Sequence, residues 1–503
     1  MIFLLISFGI VAFGQPAWIP GLSPLAACIG YAIFWKKVTT FSSRKLQFWS
    51  GVTWFFCVQL IQLSWMTAIE YQGFYILVVY AALCFGLGLQ FGLLTLFVNR
   101  LPHVAVAALW VCFEWARLYV FCGFSWNPMG LSLAAWPISM QLASVVGVLG
   151  LSFWVALTNL AWLRPRKTVW IAFALFPYLF GAVHLLYHAP KMEVAPRLAV
   201  GLVQTALFPS QKIPLKGREH EFIAPDKQWA RILNLFPPQQ KFDLIVFPEH
   251  VVPFPADLAV YPANKIGSLF GETQLAESKE KISNIFCLQA LARRFSADVV
   301  AGLDASEKKD HFSAAYHVAA NGHSISRYEK QILLPLAEYL PFSFLKRWTK
   351  SYGITEFFTP GKESKVFYGK IPFSVSICYE ETFSELVRQG RKKGAELLVN
   401  LTNDGWYPAS LLPKQHFDHG RIRAVENGAP LVRACNTGIT AAIDSLGRVL
   451  GQIEQERQAT VLVASVPTYH FSTLFTFWGN WVLVAFCIGI LGYNFKNILP
   501  CLK

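Results

Sequence analysis

The sequence predicts a chain of two physical kinds: a bundle of membrane-spanning helices, and a mixed α/β domain inserted before the last of them. Three observations carry that prediction. Charged residues make up only 15% of the 503 and hydrophobic ones 54%, whereas a soluble chain carries about a quarter charged residues. The charge is also unevenly spread, because residues 1–190 hold 9 Lys/Arg and 2 Asp/Glu while the rest hold 35 and 28. Finally, uncharged stretches as long as the roughly 20 residues a crossing helix needs follow one another through the first part and recur once near the end. The 42 Phe and 17 Trp exclude disorder and collagen-like architecture.

The uncharged stretches are 46–69, 71–99, 118–163, 168–190 and 471–495, and the first 35 residues form another. Pro16 and Pro20 break that first stretch into two short spans. Within 118–163, the polar run Ser125-Trp126-Asn127-Pro128 separates a span that begins near Leu101 from one over 141–163. Seven spans before residue 190 and one after 471 result, eight in all. Basic residues fall after the even-numbered spans: Lys36, Lys37, Arg44 and Lys45, then Arg100, then Arg164, Arg166 and Lys167, and finally Lys496 and Lys503. The positive-inside rule then puts both termini in the cytoplasm and the polar domain on the periplasmic side. Residues 1–14 lack the basic start of a signal peptide and are read as a retained span. Glu114 and Arg117, three apart inside a span, are read either as a structural ion pair or as a lipid-headgroup or gating pair.

The expected domains are therefore 1–190 (transmembrane), 191–470 (extracytoplasmic) and 471–503 (last span and tail). Six of the ten cysteines lie in apolar runs and Cys501 in the tail; Cys287, Cys378 and Cys435 lie in the polar part without any C-x-x-C pair. A disulfide framework or metal knuckle is not expected. His416, Asp418 and His419 lack a fourth metal ligand. The net charge of +14 is divided between loops and a mixed-charge domain with no aromatic-basic motif, so nucleic acid is not an expected partner. The cluster Arg388, Arg391, Lys392 and Lys393 suits a helix C-terminal turn.

From Val194 to Pro467 the texture changes to short apolar runs. Expected strands cover 198–205, 243–249, 298–304, 314–320, 373–379, 397–403, 431–434, 439–443 and 460–465. Several are continuously apolar, as strands covered on both faces are. Helices are expected over 221–236, 281–295, 381–393 and 414–427, so the domain is a layered α/β one. Residues 256–281 and 340–366 read as long loops.

Three strand ends carry chemistry. Phe247-Pro248-Glu249 sets a carboxylate after a buried strand, Glu329-Lys330-Gln331 sets a lysine before Ile332-Leu333-Leu334-Pro335, and Ile377-Cys378-Tyr379-Glu380 sets a thiol after another. Each residue alone has a bland explanation as a solvated acid, a surface cation or a buried thiol. Together they supply the base, cation and nucleophile of covalent acyl transfer. In that order the three segments resemble the Glu-Lys-Cys motifs of the nitrilase (carbon–nitrogen hydrolase) superfamily, whose domain is an α-β-β-α sandwich. Asn403-Asp404-Gly405-Trp406-Tyr407, Gln415-His416, Arg421, Arg423-Ala424 and Asn436-Thr437-Gly438 resemble one branch, the apolipoprotein N-acyltransferases. Gly123-Phe124-Ser125-Trp126 resembles a loop of that branch's membrane bundle.

The resemblance implies a nitrilase-like sandwich inserted among eight membrane helices. It implies acyl transfer from a phospholipid, through a cysteine thioester, to the N-terminal amine of a diacylglyceryl-cysteine in an apolipoprotein, without a cofactor; although the superfamily is built on oligomers, tethering to the membrane makes a monomer the expectation. In these roles Glu249 is the base, Lys330 the partner of the tetrahedral oxygen, and Cys378 the nucleophile with its pKa lowered by the cation. Glu338, Tyr379 and Glu380 match further family positions. A membrane-anchored amidase of the same superfamily is the alternative, since the triad serves both. The family often has a Trp in the loop that here reads Gln204 to Ile213 without one. Ile213 takes its place, with Phe208 a weak substitute. Cys435 is the rival thiol, read as core. The apolar run 340–358, with Leu340, Pro341, Phe342, Phe344, Leu345 and Trp348, is read either as an interfacial loop or as a satellite core cluster.

Overall fold

The computed structural model describes residues 2–120, 123–275, 277–335, 337–340, 357–453, 455 and 457–494. Most of the apolar run 340–358 therefore lies outside the described residues, as do Cys122, Lys496, Cys501 and Lys503. The chain divides into two compact units, one of residues 1–190, 409–428 and 472–503, the other of residues 191–408 and 429–471.

The first unit is helical. Helices Ile2–Phe13, Tyr31–Val38, Arg44–Gln62, Tyr75–Phe97, Ala143–Trp162, Lys167–Glu193 and Trp481–Tyr493 overlap the uncharged stretches, and His103–Arg117, with its two charged residues, lies on the span expected from near Leu101. Among the described residues, Tyr75–Phe97, Ala143–Trp162 and Lys167–Glu193 are long and apolar enough to cross a bilayer, and Ile2–Phe13 and Trp481–Tyr493 are apolar but shorter. The first helix stops before Pro16, and Pro20 opens a separate turn, because proline cannot supply the helical N–H.

Apolar side chains gain nothing by leaving lipid for one another, so close backbone approach and buried polar groups must hold such helices together. Both occur here. A Cβ on Gly88 would stand 2.8 Å from the Val52 carbonyl, so only glycine admits that approach. Asn159 accepts from the Tyr31 and Ala32 N–H groups at 3.0 and 3.1 Å and donates to the Ala27 carbonyl at 2.8 Å. Glu114 accepts from Trp110 Nε1 at 2.8 Å and from the Met129 N–H at 2.7 Å, with Arg117 at 3.7 Å. That arrangement favours the structural reading of the pair.

The second unit holds two six-stranded sheets. One has the order β14 (Thr460–Pro467), β1 (Arg197–Gln204), β2 (Leu244–Val246), β5 (Asp298–Glu307), β6 (Asp310–Val318), β7 (Ile325–Glu329). The other has the order β13 (Val449–Gln452), β12 (Ala441–Ile443), β11 (Leu431–Cys435), β10 (Leu397–Thr402), β9 (Pro372–Ile377), β8 (Val366–Tyr368). A two-stranded ribbon of β3 (Tyr261–Pro262) and β4 (Lys281–Ile282) lies in the segment read as a long loop. Strands β1, β2 and β5 run parallel, as do β9, β10 and β11.

Side chains alternate between two buried layers along each strand. Leu244 and Val246 enter the core shared with Val375, Ile377, Val399 and Leu401 of the second sheet. Ile245 enters the core under helices Pro225–Leu233 and Asn284–Phe295. Double coverage explains why these strands read as continuous apolar runs. Helix Pro225–Leu233 is shorter than the expected 221–236, since Pro225 stands at its first turn. Strands β7, β8 and β13 were not among those expected; they are short or edge elements with weak alternation. Arg391 Nη1 donates to the Ala395 carbonyl at 2.8 Å just past helix Ser384–Lys392, as expected of a cation at a helix C-terminus.

Candidate active site

Parallel strands leave their carboxyl ends free to aim side chains into a common crevice. After β2 the chain continues beside β5: the Phe247 N–H meets the Val300 carbonyl at 2.7 Å, Gly302 N–H the Pro248 carbonyl at 3.1 Å, and Val251 N–H the Gly302 carbonyl at 3.0 Å. Glu249 and His250 are thrown out of this pairing, His250 at φ +43°. The approach demands glycine at 302, where a Cβ would lie 2.5 Å from Glu249 Cα and 2.8 Å from the Pro248 oxygen. Lys330 follows β7, its N–H on the Ser313 carbonyl at 2.9 Å. Cys378 follows β9 with φ +52°, a left-handed kink that opens the turn Cys378–Thr382. Strain of this kind in a non-glycine residue persists only where the surroundings impose it.

These three ends meet inside one unit. Lys330 Nζ lies 2.9 Å from Glu249 Oε1 and 2.6 Å from Glu338 Oε1, and the Lys330 side chain is 1% exposed. Glu338 Oε2 in turn accepts from the Leu334 N–H at 2.8 Å, which fixes the loop after the lysine. The Cys378 thiol hydrogen-bonds the Glu249 carboxylate.

Burial would raise the pKa of Glu249, but the Lys330 ammonium, then the His250 ring, and hydrogen bonds from Lys330 and Cys378 hold it below the usual carboxylate value. Burial likewise works against the Lys330 charge, and Glu249 and Glu338 outweigh it, so the lysine keeps its proton. The thiol behaves contrary to the expectation that the cation lowers its pKa. Burial and the negative charge of Glu249 outweigh Lys330 and push Cys378 well up. The resting pair is a protonated thiol beside an ionised carboxylate.

Glu380 is consumed by scaffolding. It accepts from Tyr328 Oη at 2.9 Å and from the N–H groups of Gln331, Ile332 and Ile377 at 2.6, 3.1 and 2.7 Å, tying the turn at Cys378 to the loop after Lys330. Burial pushes its carboxyl up to about 7 despite those donors. Tyr379 is buried edge-on against Phe383, ring centroids 5.1 Å apart. Cys435 is fully buried, its thiol donating to the Thr437 carbonyl at 2.7 Å, in keeping with the core reading. Gly438, at φ +125°, leaves no room for a Cβ between Asp404 and Cys435.

In the departing loop, Ile213 is 39% exposed and Phe208 carries the Arg457 guanidinium over its ring at 5.3 Å. Among the described residues no group of three His, Cys, Asp or Glu is placed to hold a metal. His416 and His419 instead face Trp126 within the helical unit, at 5.6 and 5.3 Å between ring centroids. Trp126 Nε1 donates to Gln415 Oε1 at 2.6 Å and Gln415 Nε2 to the Gln62 carbonyl at 2.7 Å.

Around Glu249, the sequence reading gave no role to His250, Asp304 or Lys212, and Asn436 entered it only as part of a motif. His250 Nδ1 is 2.7 Å from Asp304 Oδ1. Lys212 Nζ is buried 3.5 Å from the Glu249 carbonyl oxygen, and burial, opposed by Glu249 and Asp304, pulls its pKa down to about 7. Asn436 Nδ2 donates to the same carbonyl at 2.5 Å. Asp304 closes the expected strand 298–304, so its place at a strand end was the available signal.

Comparison with known proteins shows the family. Residues 209–469 match the carbon-nitrogen hydrolase family model, and residues 9–161 match that of the apolipoprotein N-acyltransferase N-terminal domain. Apolipoprotein N-acyltransferase of Chlamydia pneumoniae is 35% identical, over 97% of this chain and 97% of its own. That of Chlamydia caviae is 34% identical over 98% and 97%. Among solved structures, a Nesterenkonia amidase of the nitrilase superfamily is 20% identical over 55% of this chain and 93% of its own, with a TM-score of 0.34. With both family models matched in order and more than a third of residues shared along nearly the whole length, the chain belongs to the apolipoprotein N-acyltransferase family.

Proposed function

We propose that this protein transfers an acyl chain from a phospholipid, by way of a thioester on Cys378, to the α-amino group of the diacylglyceryl-cysteine at an apolipoprotein N-terminus. The observation that carries the reading is the meeting of Glu249, Lys330 and Cys378 at three strand ends, with Lys330 2.9 Å from Glu249 and 2.6 Å from Glu338. In the first step sulfur attacks the ester carbonyl while Glu249 takes the thiol proton. Lys330 offsets the charge on the tetrahedral oxygen. The carbon–oxygen bond then breaks, and the lysophospholipid leaves with the proton that Glu249 held. In the second step the amine attacks the thioester, carbon–sulfur breaks as carbon–nitrogen forms, and Glu249 passes the amine proton to the thiolate. Glu338 holds Lys330 in place, while Tyr379 and Glu380 shape the turn that presents the sulfur.

Both substrates are lipids, which is why a membrane bundle accompanies the site. The reading includes eight crossings, with a catalytic domain over 191–470 inserted before the last, on the periplasmic side of a bacterial inner membrane. Both termini are cytoplasmic and the protein acts as a monomer. The basic residues after each even-numbered span support that topology.

Mass spectrometry of the full-length protein after exposure to phospholipid tests the chemistry. One acyl adduct on Cys378 is expected; Cys378→Ser abolishes it and Cys435→Ser retains it. Normal acylation by the Cys378 variant would eliminate the mechanism. With a diacylated lipopeptide added, the product should be acylated peptide, and release of free fatty acid alone would assign the protein to hydrolysis instead.

A further inference from the structure

Glu249 has a second neighbour that the reaction above leaves unused. The left-handed turn at His250 folds its ring back beside the carboxylate, and four contacts fix it. Nδ1 meets Asp304 Oδ1 at 2.7 Å, Nε2 meets Ser313 Oγ at 3.3 Å, Phe358 stacks on the ring at 5.7 Å between centroids, and Nε2 stands 4.0 Å from Glu249 Oε1. Asp304 lies two residues beyond Gly302, the point where β5 touches the Glu249 backbone, so one strand sets the height of both the base and the aspartate.

We propose that His250, its ring held by Asp304, is a positioning residue that sets a second positive charge against Glu249 and, together with Lys330, determines the pH range over which the thioester forms. This rests on the acyl-transfer reading of the site. The charged groups around the ring are Asp304 on β5, Glu249 beside it and Lys212 from the short helix Pro209–Lys212. Lys330 lies across Glu249, and His311 of β6 acts on Asp304. Burial lowers the proton affinity of the imidazole, but Asp304 and then Glu249 outweigh burial and Lys212, so His250 holds its proton above the ordinary imidazole range. Two cations then flank one carboxylate, and Glu249 remains an acceptor at pH values where a single cation would leave it partly protonated. Serine at 313 contributes only a neutral hydroxyl, so it serves as the internal control.

The test is the rate of Cys378 acylation against pH, measured by mass spectrometry on the full-length protein in detergent with phospholipid. In His250→Gln the acid limb should move up by about one pH unit, with the plateau rate at higher pH largely kept. His250→Asn should move it in the same direction, and carries the test if the His250→Gln variant does not fold. Ser313→Ala should leave the limb where it is. A uniform loss of rate in both variants with an unmoved acid limb would show a purely structural role and overturn the proposal, as would an unchanged profile. Failure of the wild-type protein to form any adduct would instead overturn the acyl-transfer reading, and this inference with it.

Discussion

At the scale of single residues, the site works by opposing burial with charge. Glu249 and Lys330 are taken out of water and Cys378 partly so, and burial by itself disfavours the charged form of each. Placing them within hydrogen-bonding reach reverses this for the acid and the amine and reinforces it for the thiol. A free thiolate would be exposed to oxidation; a thiol that ionises only as it attacks avoids that. Glu380 shows the opposite balance, since four donors do not fully compensate its burial and its carboxyl rises to about 7. For an acid, a raised native value means the folded state binds the proton more tightly than the unfolded chain. Its contribution is thus full below the ordinary carboxyl value and is lost as pH climbs toward about 7, a swing of roughly 3 kcal/mol. The melting temperatures of wild type and Glu380→Gln should therefore draw together as pH rises. The variant loses contacts everywhere, but its deficit should shrink between pH 5 and 8 as judged by melting temperature, and a constant deficit would show that Glu380 does not titrate there.

At the scale of elements, Glu249, Lys330 and Cys378 owe their meeting to strand ends and to backbone that only glycine permits. Gly302 lets β5 lie against the Glu249 backbone, and a methyl there would meet Glu249 Cα at 2.5 Å. Gly302→Ala should cost about 1–3 kcal/mol of stability and, by pushing Glu249 off Lys330, lower the acylation rate more than about tenfold. Thermal melts and adduct kinetics measure the two effects separately; full activity in a destabilised variant would mean that the base does not depend on this contact. Elements were also where the sequence was least legible. The strand ends at 249 and 378 stood out because they follow dense apolar runs. Strand β7 before Lys330 has little alternation, and its strand character comes from pairing with β6.

At the scale of the whole molecule, the chain alternates between two solvents, and its charge distribution records the alternation. Residues 409–428 join the helical unit although the strands on either side, β10 and β11, belong to the other. Their buried polar side chains find partners there: Glu426 Oε1 accepts the Val148 N–H at 2.7 Å, where Gly147 at φ +65° breaks helix Ala143–Trp162. The topology prediction belongs to this scale. A phosphatase that is active only outside the cytoplasm, inserted at the exposed Lys308–Lys309 turn, should be active in a bacterial host. A fluorescent protein that matures only in the cytoplasm should light up when fused after Lys503. The reverse pattern would invert the proposed orientation.

Sequence alone was enough for the division into lipid-like and polar parts, for the layered α/β character and for singling out Glu249, Lys330 and Cys378 as candidates. Those features rest on local composition, on the period of buried side chains, and on residue types set beside apolar strands. Tertiary structure decided the protonation of Cys378, the anchoring role of Glu380, and the presence of His250, Asp304 and Lys212 around the base. Each of these depends on distances between residues far apart in the chain and on how much water is excluded. Coulombic and desolvation energies vary steeply with both, and neither is written in any short stretch of sequence.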